Sequence, residues 1–194
     1  TDLKVGLADD HEWMGGASMA QNGVICNPNI PSEEVFTTPH ALRVEGYVSS
    51  TKPLSHQGTL IDNIRVVFEK GSITDAKASK GETVLKKVLE SDEGARRLGE
   101  VALVPNSSPI SNSGLLFYNT LFDENAACHI ALGQCYSKCF KGETNLSLSE
   151  IKERGGNSSM IHIDWMIGSG EIDIDGFGKN GEIVPIFRKG EWVD

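Results

Sequence analysis

The sequence predicts an α+β fold in which strands dominate: a mixed, largely antiparallel twisted sheet or partial barrel with a few helices. Three observations carry this reading. Alternating apolar segments recur from the opening TDLKVGL to the closing EIDIDGFGKNGEIVPIFRKGEWV. Turn dipeptides at Lys70-Gly71, Asn180-Gly181 and Lys189-Gly190 separate neighbouring segments closely enough for hairpins. Helical periodicity follows a serine with a glutamate three residues later at two places.

Taken in order, TDLKVGL alternates as a strand. GVICNPNIPSEEVFTTP, punctuated by three prolines, reads as strand or loop ending in an extended piece. RVEGYVSS, TLIDNIRVVFEKG and SITDAKAS are successive strands, the last two joined at Lys70-Gly71. Ser79 and Glu82 match a capping box, and Val84, Leu85, Val88 and Leu89 form the apolar stripe of a helix running into ESDEGARR. VALV follows as a buried strand. Ser147 with Glu150 opens a second, short helix that closes near Gly155, and a strand carrying HID comes next. The tail folds as hairpins.

At 194 residues and 39% hydrophobic content, the chain has enough apolar material for the core of one domain. No apolar run approaches the roughly 20 residues that span a bilayer, and Thr1 opens no signal-peptide pattern, so this reading includes no membrane partner. An opening without Met points to a fragment or processed product. The net charge of −9 argues against a nucleic-acid partner, which needs clustered Lys and Arg to displace counterions. Cys26, Cys128, Cys135 and Cys139 form no CxxC unit and fit buried free thiols in a reducing cytoplasm better than a zinc site. The adjacent Cys128-His129 is a poor nucleophile and base pair, because neighbouring side chains diverge. Glu171, Asp173, Asp175, Gly176 and Glu182 fit the spacing of a calcium loop. Ile172 and Ile174 alternate as on a strand, however, and no helices flank them.

The informative stretch is SSMIHIDWMIGSG. On a strand, Ile161, Ile163, Trp165 and Ile167 share one face, so His162 and Asp164 project together from the other. Alone they fit a solvated face or a mutually satisfied pair, and a reactive centre needs further donors. The candidates are Glu33 and Glu34 in NPNIPSEE, Glu100 in RRLGEVALV, and Asp123, Glu124 and His129 in LFDENAACHIALG. Each by itself reads as a surface charge or a satisfied core residue. Together they offer the carboxylates and imidazoles suited to divalent zinc, cobalt or manganese.

NPNIPSEEVFTTPH, RVEGYVSSTKPL, LGEVALVPNSSPIS, LLFYNTLFDENAACHIALG, SSMIHIDWMIGS and PIFRKGEWV resemble, in order and over essentially the whole chain, the M29 family of metal-dependent aminopeptidases, the aminopeptidase T, aminopeptidase S and PepS group. The resemblance implies that residues 1–194 are a single catalytic domain, the carboxy-terminal half of an enzyme with a further amino-terminal lobe. It implies metal ligands at Glu34, Glu100, Glu124, His129, His162 and Asp164, with Glu100 bridging two ions, and a catalytic tyrosine at Tyr136. The implied cofactors are two divalent ions, zinc, cobalt, manganese or magnesium. The implied substrates are peptides with a free amino terminus, and the longer enzyme is expected to be a homodimer.

The chemistry agrees with those assignments. Two cations about 3.5 to 4 Å apart share a water, lower its pKa and polarise the scissile carbonyl. Glu33 is the expected unligated base, and Tyr136 would donate to the oxyanion, a contribution of about 3 kcal/mol. A metal-binding domain that is inactive without its lobe or dimer partner is the alternative, and a purely structural module is the third possibility.

Overall fold

In a computed structural model the chain is described at residues 1–30, 32–142 and 146–193. Two antiparallel sheets and one helix enclose the main core. The first sheet orders its strands Asp2–Leu7, Pro39–Ser49, Arg65–Glu69 and Ser72–Lys77. The second orders His162–Met166, His129–Gly133, Leu98–Leu103, Val35–Thr37 and the two-residue Met14–Gly15. Lys70 (φ 49°) and Gly71 (φ 78°) make the tight turn between two strands of the first sheet, both in the left-handed region that two-residue hairpin turns require.

Val44, Val48, Val66, Phe68 and Ile73 from the first sheet meet Leu98, Ile130, Leu132, Ile163 and Trp165 from the second, with Leu85 and Leu89 of the helix Glu82–Leu89 between them. Burying a side chain of this size stabilises by about 1.5–3 kcal/mol. One face of the second sheet is therefore committed to the core, and its other face is free to carry polar groups. A three-stranded sheet, Ile174–Phe177, Ile183–Arg188 and Glu191–Trp192, packs Phe187 against Leu103 and Cys128.

The strand-dominated α+β architecture is as expected: the strands form separate, antiparallel sheets with a few helices, and no closed barrel forms among the described residues. Several details need correction. Ser79 does not cap the first helix. Its hydroxyl donates to Asp62 O, the cap position is Gly81, and Glu82 instead accepts the Ala78 N–H. That helix ends at Leu89, and residues Glu93–Arg96 form a separate 3-10 turn whose cap is Asp92. The second capping box forms as expected: Ser147 and Glu150 bond reciprocally ahead of Leu148–Glu153. In the proline-punctuated segment Ile25–Cys26 and Val35–Thr37 are strands, its last residue Pro39 opens the strand Pro39–Ser49, and Pro31 lies outside the described residues. Cys128, Cys135 and Cys139 are buried free thiols, but Cys26 is exposed. In the tail, Asp173 accepts the Lys189 N–H and Asp175 pairs with Arg188. No helix among the described residues is long and apolar enough to cross a membrane.

Candidate metal centre

The free face of the second sheet gathers the chemistry. On His162–Met166 the alternation holds: Ile163 and Trp165 enter the core, and His162 and Asp164 face away from it. His129 pairs opposite Met166 and Ala131 opposite Asp164, so His129 stands on the same face as Asp164. Glu100 arrives there by an irregularity. Leu98 pairs with Leu132 and Glu100 with Ala131, so the register shifts by one residue at Gly99. Leu98 then enters the core, while Glu100, two residues later, points to the opposite face. Only glycine fits the bulge. A Cβ at Gly99 would lie 2.3 Å from Gln134 O and 2.5 Å from Gly133 O.

Glu34 enters just before the strand Val35–Thr37, which pairs with Leu98–Leu103. Glu124 begins the 3-10 turn Glu124–Ala126 that follows the short helix Thr120–Asp123. Asp123, buried beside it, accepts the N–H groups of Phe117 (2.7 Å) and Asn119 (3.0 Å) and so organises the preceding loop.

Three overlapping sets of donors result. Glu34, Glu100 and His129 bring one ligating atom each to within 4.8 Å of one another; so do Glu100, His162 and Asp164, and so do Glu124, His129 and Asp164. Glu100 divides its oxygens, Oε1 lying 3.8 Å from His129 Nε2 and Oε2 3.4 Å from His162 Nε2. Glu34 Oε2 is 3.5 Å from His129 Nε2, and Asp164 Oδ1 is 3.4 Å from His162 Nε2. His129, Glu100 and Asp164 are 1%, 5% and 8% exposed, which keeps these polar groups largely out of water.

The imidazoles fit a cation. His129 Nδ1 lies 3.0 Å from Ala127 O and His162 Nδ1 2.7 Å from Gln134 O. A carbonyl can only accept, so Nδ1 carries the hydrogen in each ring and Nε2 faces the carboxylates. Both Nε2 atoms are buried and make no hydrogen bond among the described residues. Buried polar atoms without a partner are costly, and here both point where the carboxylate oxygens converge.

Electrostatics point the same way. Burial, reinforced by Asp164, Glu34 and Glu100, pushes Glu124 up to about 9. Burial also raises Glu34, with His129 opposing and Glu100 adding. At His162 burial disfavours the charged ring, but Asp164 and Glu100 outweigh it and push the pKa up to about 11. Glu124 and Glu34 thus hold protons more readily, which a divalent cation would displace. Tyr136 sits at the rim, half exposed, its ring 4.7 Å from that of His162 and 5.9 Å from that of Phe36. Burial and then the carboxylates, Glu100 foremost, raise its pKa well above the ordinary phenol value, so it stays protonated. Burial pushes the Cys128 and Cys135 thiols up to about 11 and Cys139 up to about 12, which keeps thiolate chemistry out of the site.

The structure therefore brings together Glu34, Glu100, Glu124, His129, His162 and Asp164, with Tyr136 beside them. Glu33 is exposed and belongs to none of the donor sets. Sequence reasoning missed Gly99 and the carbonyls of Ala127 and Gln134. A glycine inside the strand pattern LGEVAL was the available signal for a bulge.

Comparison with known proteins bears on this centre. A family model described as thermophilic metalloprotease (M29) matches residues 1–192. The chain is 55% identical over 193 residues to aminopeptidase T of Thermus aquaticus, covering 100% of this chain and 47% of the relative. It is 53% identical over 189 residues to aminopeptidase 2 of Geobacillus stearothermophilus, covering 97% of this chain and 46% of the relative. Among solved structures, wild-type AmpT from Thermus thermophilus superposes with a TM-score of 0.93 at 52% identity, covering 100% of this chain and 47% of the other. The chain spans about half the length of the curated relatives it matches.

Proposed function

The chain belongs to the thermophilic metalloprotease (M29) family, and on that premise we propose that it forms the catalytic domain of a metal-dependent aminopeptidase acting on peptides with a free amino terminus. One observation carries the proposal: two donor sets, Glu34-Glu100-His129 and Glu100-His162-Asp164, share Glu100, and both histidines hold an unpartnered Nε2 toward the carboxylates. Glu34, Glu100 and His129 would hold one divalent ion, and Glu100, His162 and Asp164 a second, with Glu124 joining through its proximity to His129 and Asp164. Zinc, cobalt, manganese and magnesium are the candidate ions. Bound there, such ions supply Lewis acidity to a water and to the scissile carbonyl.

The protein's own groups do the rest. Four clustered carboxylates favour a substrate that brings a positive amino terminus. The Ala127 and Gln134 carbonyls hold the two imidazoles in one tautomer and orientation. Tyr136, protonated because burial and carboxylates oppose its ionisation, donates a hydrogen bond to the oxygen that gains charge. To Glu33, an exposed carboxylate outside the donor sets and one residue before Glu34, we assign the proton released by the attacking water. Loss of turnover at unchanged ion content in Glu33→Gln is the result that supports it. We assign the activity to the cytoplasm and to a homodimer of the longer enzyme, with neither membrane nor nucleic acid as partner.

The test is hydrolysis of an amino-terminally free peptide in the presence of zinc or cobalt, beside the same peptide acetylated at its amino terminus. Cleavage of the first alone supports the proposal, and equal cleavage of both contradicts it. Because the chain spans about half the length of its relatives, a second reading has its own support: ions bind here, while turnover needs a further lobe or a dimer partner. Ion uptake without hydrolysis distinguishes that reading.

A further inference from the structure

We propose that Asn29 is a positioning residue for the metal centre: it fixes Glu124 for cation binding and ties the loop that leads to Glu34 to the helix that precedes Glu124. The inference rests on the metal-centre reading above and adds to it a residue outside the ligand set.

The contacts are specific. Asn29 Nδ2 donates to Glu124 Oε1 at 3.2 Å and to Leu121 O at 2.7 Å, while Asn29 Oδ1 accepts the Ile30 N–H at 2.7 Å. These partners determine the amide orientation, since flipping it would set an oxygen against two acceptors and an NH2 against a donor. Residues 95 apart in sequence are thereby joined. Among the described residues, no other side chain donates a hydrogen bond to Glu124. Glutamate is long and carries three side-chain torsions, so without a partner it samples many rotamers. An amide donor on Oε1 removes that freedom and leaves the second oxygen unengaged. Both ends of the clamp are anchored. The Asn27 side chain accepts the Asn29 N–H, and the Asn119 side chain caps the helix Thr120–Asp123 by accepting the Leu121 N–H. Glu34 follows five residues after Asn29 in the sequence, so the residue that holds Glu124 lies close along the chain to a second ligand.

The test is zinc affinity of the chain by equilibrium dialysis, with the absorption spectrum of the cobalt(II) form as a second readout. Asn29→Leu removes the donors at similar volume and is expected to lower zinc affinity about 10- to 100-fold, the usual effect of losing a group that orients a ligand. It should also change the cobalt spectrum while leaving the melting temperature of the zinc-free chain within a few degrees. In a Glu124→Ala background, which has no side-chain acceptor, the same substitution should cost little, because its effect passes through Glu124. Unchanged zinc affinity in Asn29→Leu, or an equal loss with and without Glu124, overturns the proposal. Should Asn29→Leu fail to fold, Asn29→Ala carries the same measurements and outcomes. A parent chain that takes up no zinc overturns the metal-centre reading and this inference with it. That result is distinct from a parent that binds zinc and a variant that binds it equally well.

Discussion

Leu98 and Glu100 lie two residues apart on one strand yet face opposite sides of the sheet, Leu98 in the apolar core and Glu100 among the histidines. In a regular strand, residues two apart share a face. The bulge at Gly99 breaks that rule and places a carboxylate, one oxygen toward each of two imidazoles, where regular pairing would have buried it in the core.

Gly99→Ala is therefore expected to affect both stability and the centre. The added methyl meets the Gln134 carbonyl, which is also the acceptor for His162 Nδ1. Relieving the clash costs about 1–3 kcal/mol in urea unfolding, as overpacking does. Zinc affinity should fall by about tenfold or more, because Glu100 and His162 shift together. Parental stability and affinity in this variant would show that the bulge does not position the site.

These particulars explain what the sequence made legible. The His162 and Asp164 face followed from period two alone, because that strand is regular through Met166. The aim of Glu100 did not follow, since a bulge depends on how Leu98–Leu103 pairs with a strand some 30 residues away, which no local pattern encodes. The convergence of Glu34 and Glu124 on that face is likewise a tertiary outcome, set by strand pairing for one and by a stapled loop for the other. Resemblance to the family supplied their positions before any physical argument could. Ser79 shows the converse: its capping pattern was present, but the hydroxyl found a better acceptor on Asp62 across a β-bridge.

Tyr136→Phe should lower turnover of an amino-terminally free peptide by about 100-fold, the effect of removing one oxyanion donor. Zinc content and fold should be retained, since a phenylalanine keeps the ring contacts to His162 and Phe36. Unchanged turnover in any preparation that hydrolyses the peptide contradicts the role assigned to the phenol.

Asp92 gives a pH-dependent test of the scaffold behind His162. It accepts the N–H groups of Met160 (2.6 Å) and Ala95 (2.8 Å) and the hydroxyl of Ser159 (2.8 Å), and these bonds, Met160's foremost, hold its pKa below the ordinary 3.8. A carboxyl depressed in the folded state stabilises above its unfolded pKa, and that contribution fades as the pH falls through the folded value. Asp92→Ala should cost about 1 kcal/mol near neutrality, as loss of a cap does. The gap to the parent should narrow in urea unfolding between about pH 6 and about pH 2.5. A gap that stays constant over that range would mean the ionised carboxylate is not what stabilises the turn.

The measurement that bears most directly on the central claim is zinc stoichiometry after equilibrium dialysis, run on the chain and on Glu100→Gln side by side. A centre in which Glu100 serves both donor sets predicts close to two zinc ions per chain in the parent and a steep fall, to one or none, in the variant. No zinc bound by the parent at micromolar concentration, or equal uptake by both proteins, would contradict it.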